Sequence, residues 1–159
     1  MDGAFFFKMG RFCRRFWCIL NAGKIMTHPE IIYYCLQKPG ACLDYPFDPM
    51  VPVVKVKTPS LKGGRIFAQP FTLRGEPKVT LNCTPFSAAY YRKTYPGSVA
   101  RGWHCPPVQQ PHFNTVNLDG SVTDEEILKM IDHSYDVVTA KLPKYIQKEL
   151  KQITGKLTI

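Results

Sequence analysis

The chain has 159 residues, 45% apolar and 21% charged, which suits one soluble domain with a real core. No repeat of fixed period argues for a solenoid, and no apolar run approaches the ~20 residues that span a bilayer. The net charge of +9 and pI of about 9.3 favour anionic partners, whether nucleic acid, anionic lipid or acidic protein, without choosing among them.

Residues 1–25 differ in composition from the rest. Phe5, Phe6, Phe7, Phe12, Phe16 and Trp17 alternate with Lys8, Arg11, Arg14 and Arg15. Such a segment suits an anionic membrane surface. The Arg14-Arg15 pair resembles a twin-arginine signal, but only Ile19-Leu20 follows where export needs about 7–15 apolar residues. The expectation adopted is an N-terminal extension that is disordered or a wrongly assigned start. Met26 would then be the true start, and Ala22-Gly23-Lys24 is encodable by a purine-rich, bacterial ribosome-binding stretch. Pyrimidine-rich codons at 22–24 would remove that argument.

The folded domain is expected over 26–152, with a frayed tail over 153–159. Thr27-His28-Pro29-Glu30 reads as a capping box, with Met26 and Ile31 placed as a hydrophobic staple. It opens a helix over Pro29–Gln37, stopped by Lys38-Pro39-Gly40. Strands are expected at Ala41–Tyr45, Val53–Lys57, Ile66–Phe71 and Lys78–Cys83. Turns at Pro46–Pro49 and Gly63-Gly64 separate them. The alternation of Val54 and Val56, and of Val79, Leu81 and Cys83, with polar residues marks half-buried antiparallel strands.

Thr84 and Pro85 begin a second helix that ends at Tyr95-Pro96-Gly97. Ser98–Pro111 is expected to be irregular, and His112–Leu118 to be the last strand. Thr123–Glu126 is a second capping box. The helix behind it carries Ile127, Ile131, Tyr135, Val138 and Leu142 on one stripe. Pro143 breaks it, and a short basic helix continues to Gln152. Helices separated by an antiparallel meander specify a two-layer α+β domain, an antiparallel sheet packed against helices.

Six cysteines (Cys13, Cys18, Cys35, Cys42, Cys83, Cys105) lack any Cys-x-x-Cys spacing and read as free thiols in a reducing cytoplasm. Between Val54 and Phe113 stand Lys55, Lys57, Lys62, Arg65, Arg74, Lys78, Arg92, Lys93 and Arg101 against Glu76 alone. Asn114–Leu142 holds six acids against Lys129 and Lys141. The basic middle is either a solvated face or an anion-binding surface.

Several segments together resemble the MmcQ/YjbR family. They are Lys38-Pro-Gly-Ala-Cys-Leu-Asp-Tyr-Pro-Phe47, Val53-Val-Lys-Val56, Tyr95-Pro-Gly97, Asn114-Thr-Val-Asn-Leu-Asp-Gly120, Asp132-His-Ser-Tyr135 and Ala140-Lys-Leu-Pro143. The resemblance covers Met26 to Leu150. It implies a CyaY-like α+β fold of double-wing type, a family label of DNA binding and no established reaction. Asp44, Tyr45, Asn114, Thr115, Asn117, Asp119, Ser134 and Tyr135 belong to its motifs. The chain departs from it within Val108–Pro111, where a Lys is usual, at Phe113, where Trp is usual, and in the loop Thr58–Arg65, which is longer or more basic than usual.

Lys55, Lys57, Lys62, Arg65, Arg92, Lys93, Arg101, Trp103 and His112 are the candidate nucleic-acid contacts. The cations would neutralise phosphates, and Trp103 and Phe113, if exposed rather than core, would stack on bases. His104, Cys105 and His112 fall short of the four ligands of a structural zinc site. His112, Asn114, Thr115, Asp119 and Ser134 form no recognisable catalytic frame. Asn114, Asn117 and Asp119 are expected to organise the turn into the last long helix, and Ser134 and Tyr135 to bond or pack across the helix–sheet interface. The expectation is a cytoplasmic, non-enzymatic DNA- or RNA-binding protein without cofactor, metal or small-molecule substrate. The alternative is a chaperone-like module for an acidic protein partner.

Overall fold

The computed structural model describes residues 24–156, with side chains through Ile153. The extension expected over 1–25 lies outside these residues up to position 23. Helix α1 (His28–Leu36) starts at the capping box: the Thr27 amide donates to Glu30 Oε2 at 2.8 Å, and Met26 and Ile31 are both buried as the staple requires. Gly40, at φ 70°, turns the chain into the sheet. A Cβ there would stand 2.6 Å from the Leu150 side chain and 2.9 Å from the Lys57 carbonyl, so no larger residue fits.

Six strands follow: β1 (Ala41–Asp48), β2 (Val51–Thr58), β3 (Leu61–Leu73), β4 (Glu76–Asn82), β5 (Val99–Arg101) and β6 (Phe113–Asn117). They form one antiparallel sheet in the order β1-β2-β3-β4-β6-β5. The expected turn at Pro46–Pro49 is instead largely strand. β1 runs through Pro46 to Asp48, because on an edge strand the missing proline N–H breaks no ladder; the register slips between Asp44 and Asp48. The expected loop Thr58–Arg65 is a tight hairpin. β3 begins at Leu61, and Gly63 and Gly64, at φ 75° and 68°, make an irregularity inside the strand rather than its end. Within the stretch expected to be irregular, Val99–Arg101 pairs with β6 as a short edge.

Helix α2 (Pro85–Thr94) is capped by Thr84, whose hydroxyl accepts from the Ser87 amide at 3.3 Å. Helix α3 (Asp124–Ala140) uses half of its expected capping box. Thr123 accepts from the Glu126 amide at 3.3 Å, while the Glu126 carboxylate turns to Lys129 at 2.6 Å. Helix α4 (Lys144–Lys156) begins after Pro143 and continues past Gln152, through part of the segment expected to fray. Its Ile146 and Leu150 are buried, which anchors that last helix.

The helices pack on one face of the sheet, giving the two-layer α+β architecture. Val54, Val56, Ala68, Val79, Leu81 and Val116 meet Ile31, Cys35, Leu128, Ile131 and Ile146 in one core around Phe67. A latch ties α1 to α3: Asp132 pairs with Lys38 and accepts from the Tyr34 hydroxyl at 2.8 Å, and Lys38 Nζ lies 5.0 Å from the Tyr34 ring centroid.

Candidate nucleic-acid interface

Side chains alternate across the sheet, so the partners of the core residues face away from the helices. On that outer face Gln69, Thr80 and Thr115 stand in register on β3, β4 and β6, with Thr80 and Thr115 hydroxyls 2.8 Å apart. Phe71 and Lys78 form the next pair. The chain leaving β5 folds back over this face. Gly102 permits the reversal: a Cβ there would lie 2.6 Å from the Phe113 Cβ and 2.8 Å from Cys105 Sγ. The Trp103 amide then donates to Thr115 Oγ1 at 3.0 Å, and the His104 ring meets Phe71 edge-on at 4.9 Å.

The sheet also splits. The β3–β4 ladder ends at Ala68–Leu81, and beyond it the Ser134 hydroxyl bridges the strands, donating to the Phe67 carbonyl at 2.5 Å and accepting from the Asn82 amide at 2.8 Å. The Asn82 side chain donates to the Ile66 carbonyl at 3.1 Å. Past this splay runs a groove of about 1030 Å³. Gln69, Phe71, Thr80 and Asn82 contribute sheet residues, and Trp103 and His104 come from the covering loop. Val138, Lys141, Leu142 and Tyr145 contribute from the α3–α4 junction, with Phe47, Asp48 and Arg65 also at the rim. Trp103 is 54% exposed and Tyr145 59%.

The candidate contacts divide. Arg65 and Trp103 share the groove. Lys57 and Lys62 are exposed together near the tip of the β2–β3 hairpin. Lys55 is engaged with Asp44 at 2.5 Å; the Lys55 ammonium, then the Tyr45 amide, hold the Asp44 carboxyl below its ordinary pKa. Arg92 is half-buried and donates to Asn114 Oδ1 at 2.8 Å. Lys93, Arg101 and His112 are exposed but do not line the groove; the His112 carbonyl accepts from the Cys83 amide at 2.9 Å. Trp103 is thus a surface residue, and Phe113 is half-buried at the groove wall.

The family-motif residues are mostly architectural. The turn into α3 is organised by Asp119, which accepts from the Ser121 amide at 2.9 Å, but not by its two asparagine neighbours. Asn114 is buried and ties β6 to α2 through the Ala88 carbonyl and Arg92, while Asn117 joins Lys78 at 2.6 Å and the Gly97 carbonyl at 3.2 Å. Both are strand residues, on opposite faces of β6, because β6 extends through Asn117 and the turn begins after them. Tyr135 donates to the Pro39 carbonyl at 2.8 Å, and burial pushes its phenol up to about 12. Tyr45 is half-exposed on the edge strand.

Sequence reasoning missed Lys141, Tyr145, Phe47 and Gln69 as neighbours of Trp103. One signal was available: Tyr145 and the lysines after Pro143 occupy the polar side of an amphipathic helix, where an aromatic ring is out of place. Among the described residues no group of three or more His, Cys, Asp or Glu is placed to hold a metal ion, and no helix is long and apolar enough to cross a membrane.

A family model described as YjbR matches residues 36–137. The protein YjbR of Escherichia coli strain K12 is 30% identical over 128 residues, covering 80% of this chain and 100% of that protein. The protein YbdF of Escherichia coli O157:H7 is 28% identical over 80% of this chain and 97% of its own length. The crystal structure of Deinococcus radiodurans protein DR2400, a DUF419 domain, aligns with a TM-score of 0.71 at 29% identity, over 80% of this chain and 89% of that one. A Pseudomonas syringae protein shares the fold at a TM-score of 0.57 and 19% identity, over 71% of this chain and 99% of its own. By the span of the family model and by relatives matched over almost their entire length, the chain belongs to the YjbR family.

Proposed function

We propose that this domain binds nucleic acid, without catalysis, through the groove and the basic hairpin beside it. The observation that carries the reading is the exposed Trp103 ring sharing one groove with Arg65 and Lys141. Stacking surfaces beside cations suit a ligand with flat bases and a phosphate backbone. Lys57 and Lys62 extend the positive surface at the hairpin tip. Among the described residues Asp48 is the one acid lining the groove, and its carboxylate accepts from the Met50 amide at 2.7 Å. Cys105 also lines the groove, and burial raises its thiol pKa, which favours the unreactive protonated form.

Titration of the full chain against labelled DNA duplex, single strand and RNA hairpin tests the reading. Affinity should fall steeply between about 50 and 200 mM salt, on the order of a thousandfold if six or more phosphates are neutralised. Arg65→Ala and Lys141→Ala should each weaken binding and lower the salt slope by about one. No binding to any of the three at low salt sinks the proposal.

A second reading rests on α2, where Phe86 and Tyr90 are exposed one turn apart beside Lys93. An apolar and basic helix face fits an acidic protein partner. Partner capture that survives nuclease treatment and is lost in Phe86→Ala would favour it.

A further inference from the structure

We infer that the groove takes an unpaired stretch of nucleic acid, its bases stacking on Trp103 and its phosphates following a row of lysines along α4. The inference rests on the nucleic-acid reading and narrows it to single strands. In a duplex the faces of the bases are hidden in the stack, so a ring that lies in a groove meets them only when a base is unpaired. The groove, at about 1030 Å³, is as large as a sizeable ligand pocket and has room for a flipped-out nucleotide.

Its stacking platform is held in place rather than left on a free loop. The Trp103 backbone is tied to Thr115 on β6, Gly102 packs directly on Phe113, and the neighbouring His104 is seated on Phe71. A platform fixed in this way loses little freedom when a base lands on it.

The lysine row supplies the exit path. Lys141 lines the groove with Tyr145, and beyond Pro143 the lysines Lys144, Lys148 and Lys151, spaced by four and three, share one side of α4. All four are exposed, and none is in an ion pair among the described residues. The acid of the same helix, Glu149, is turned to Ser60 on the β2–β3 hairpin and does not neutralise them. Charge along this side of α4 suits a polyanion that leaves the groove past Lys141 and Tyr145, as far as Lys151, which lines a second, shallow pocket with Asp136.

The test uses the full chain carrying Trp17→Phe, so that Trp103 is the one tryptophan. Mixed-sequence single strands of DNA and of RNA, and the blunt DNA duplex, are titrated by fluorescence and anisotropy. A single strand should quench Trp103 and bind at least tenfold more tightly than the duplex. In the parent chain, Trp103→Ala should cost roughly 5- to 150-fold for the single strand and little for the duplex, with Trp103→Phe restoring part of the loss. Alanine at Lys144, Lys148 and Lys151 together should lower the salt slope by about three. Equal affinity for single strand and duplex, or a single-strand preference untouched by Trp103→Ala, overturns the inference while leaving nucleic-acid binding in place. Failure of all three to bind at low salt removes the underlying reading as well.

Discussion

Ser134 is fully buried, yet its hydroxyl stands in for a missing rung of the sheet, joining the Phe67 carbonyl to the Asn82 amide. Alanine in its place leaves the half-buried Asn82 amide and the buried Phe67 carbonyl without this partner, a loss of about 1–3 kcal/mol. Urea unfolding of Ser134→Ala should show a lower midpoint with unchanged slope; an unchanged midpoint would mean that water replaces the hydroxyl. The sequence located Ser134 at the helix–sheet interface, because its motif sits on the apolar stripe of α3. It did not reveal which strands the hydroxyl joins, since that depends on where the β3–β4 ladder stops. Asn114 shows the same limit. An asparagine near an Asp-Gly pair suggests a turn, but its place on β6 directs it to α2.

At the scale of elements, helix starts were the most legible features, because capping chemistry is local: Thr27, Thr84 and Thr123 each begin a helix. Strand ends were less so. Proline and glycine were read as turns, yet Pro46 sits within an edge strand and Gly63-Gly64 within β3. The true β3–β4 turn is Arg74-Gly75, where both residues have positive φ, 52° and 83°. A non-glycine residue in that conformation is strained, and asparagine tolerates it better than arginine. Arg74→Asn should stabilise the protein by up to about 1 kcal/mol, a rise of a few degrees in Tm, and Gly75→Ala should lower it. Calorimetry on the two variants checks both signs.

For the whole molecule, the α+β class followed from element order, whereas the groove did not. It gathers residues from Phe47 to Tyr145, and it exists because β3 outruns β4 and a loop folds back over the outer face. The basic middle of the chain was visible, but part of it is spoken for. Lys55 serves Asp44, Lys78 serves Glu76 and Asn117, and Arg92 serves Asn114. The unengaged charge lies more on the β2–β3 hairpin and on α4 than the linear count suggests.

The irregular edge at Pro46 bears on how the protein behaves when crowded. Leu43, Tyr45 and Phe47 alternate along β1 with substantial exposure, the pattern that lets one sheet extend into another and seeds fibrils. Pro46 removes a donor from that edge, the exposed Asp48 charges it, and the opposite edge, β5, is three residues long. The sheet therefore terminates itself at both ends. Replacing Pro46 with valine should leave the fold intact and raise concentration-dependent light scattering and thioflavin binding. A Pro46→Val protein that stays as dispersed as the parent at high concentration would place the protection elsewhere on the edge.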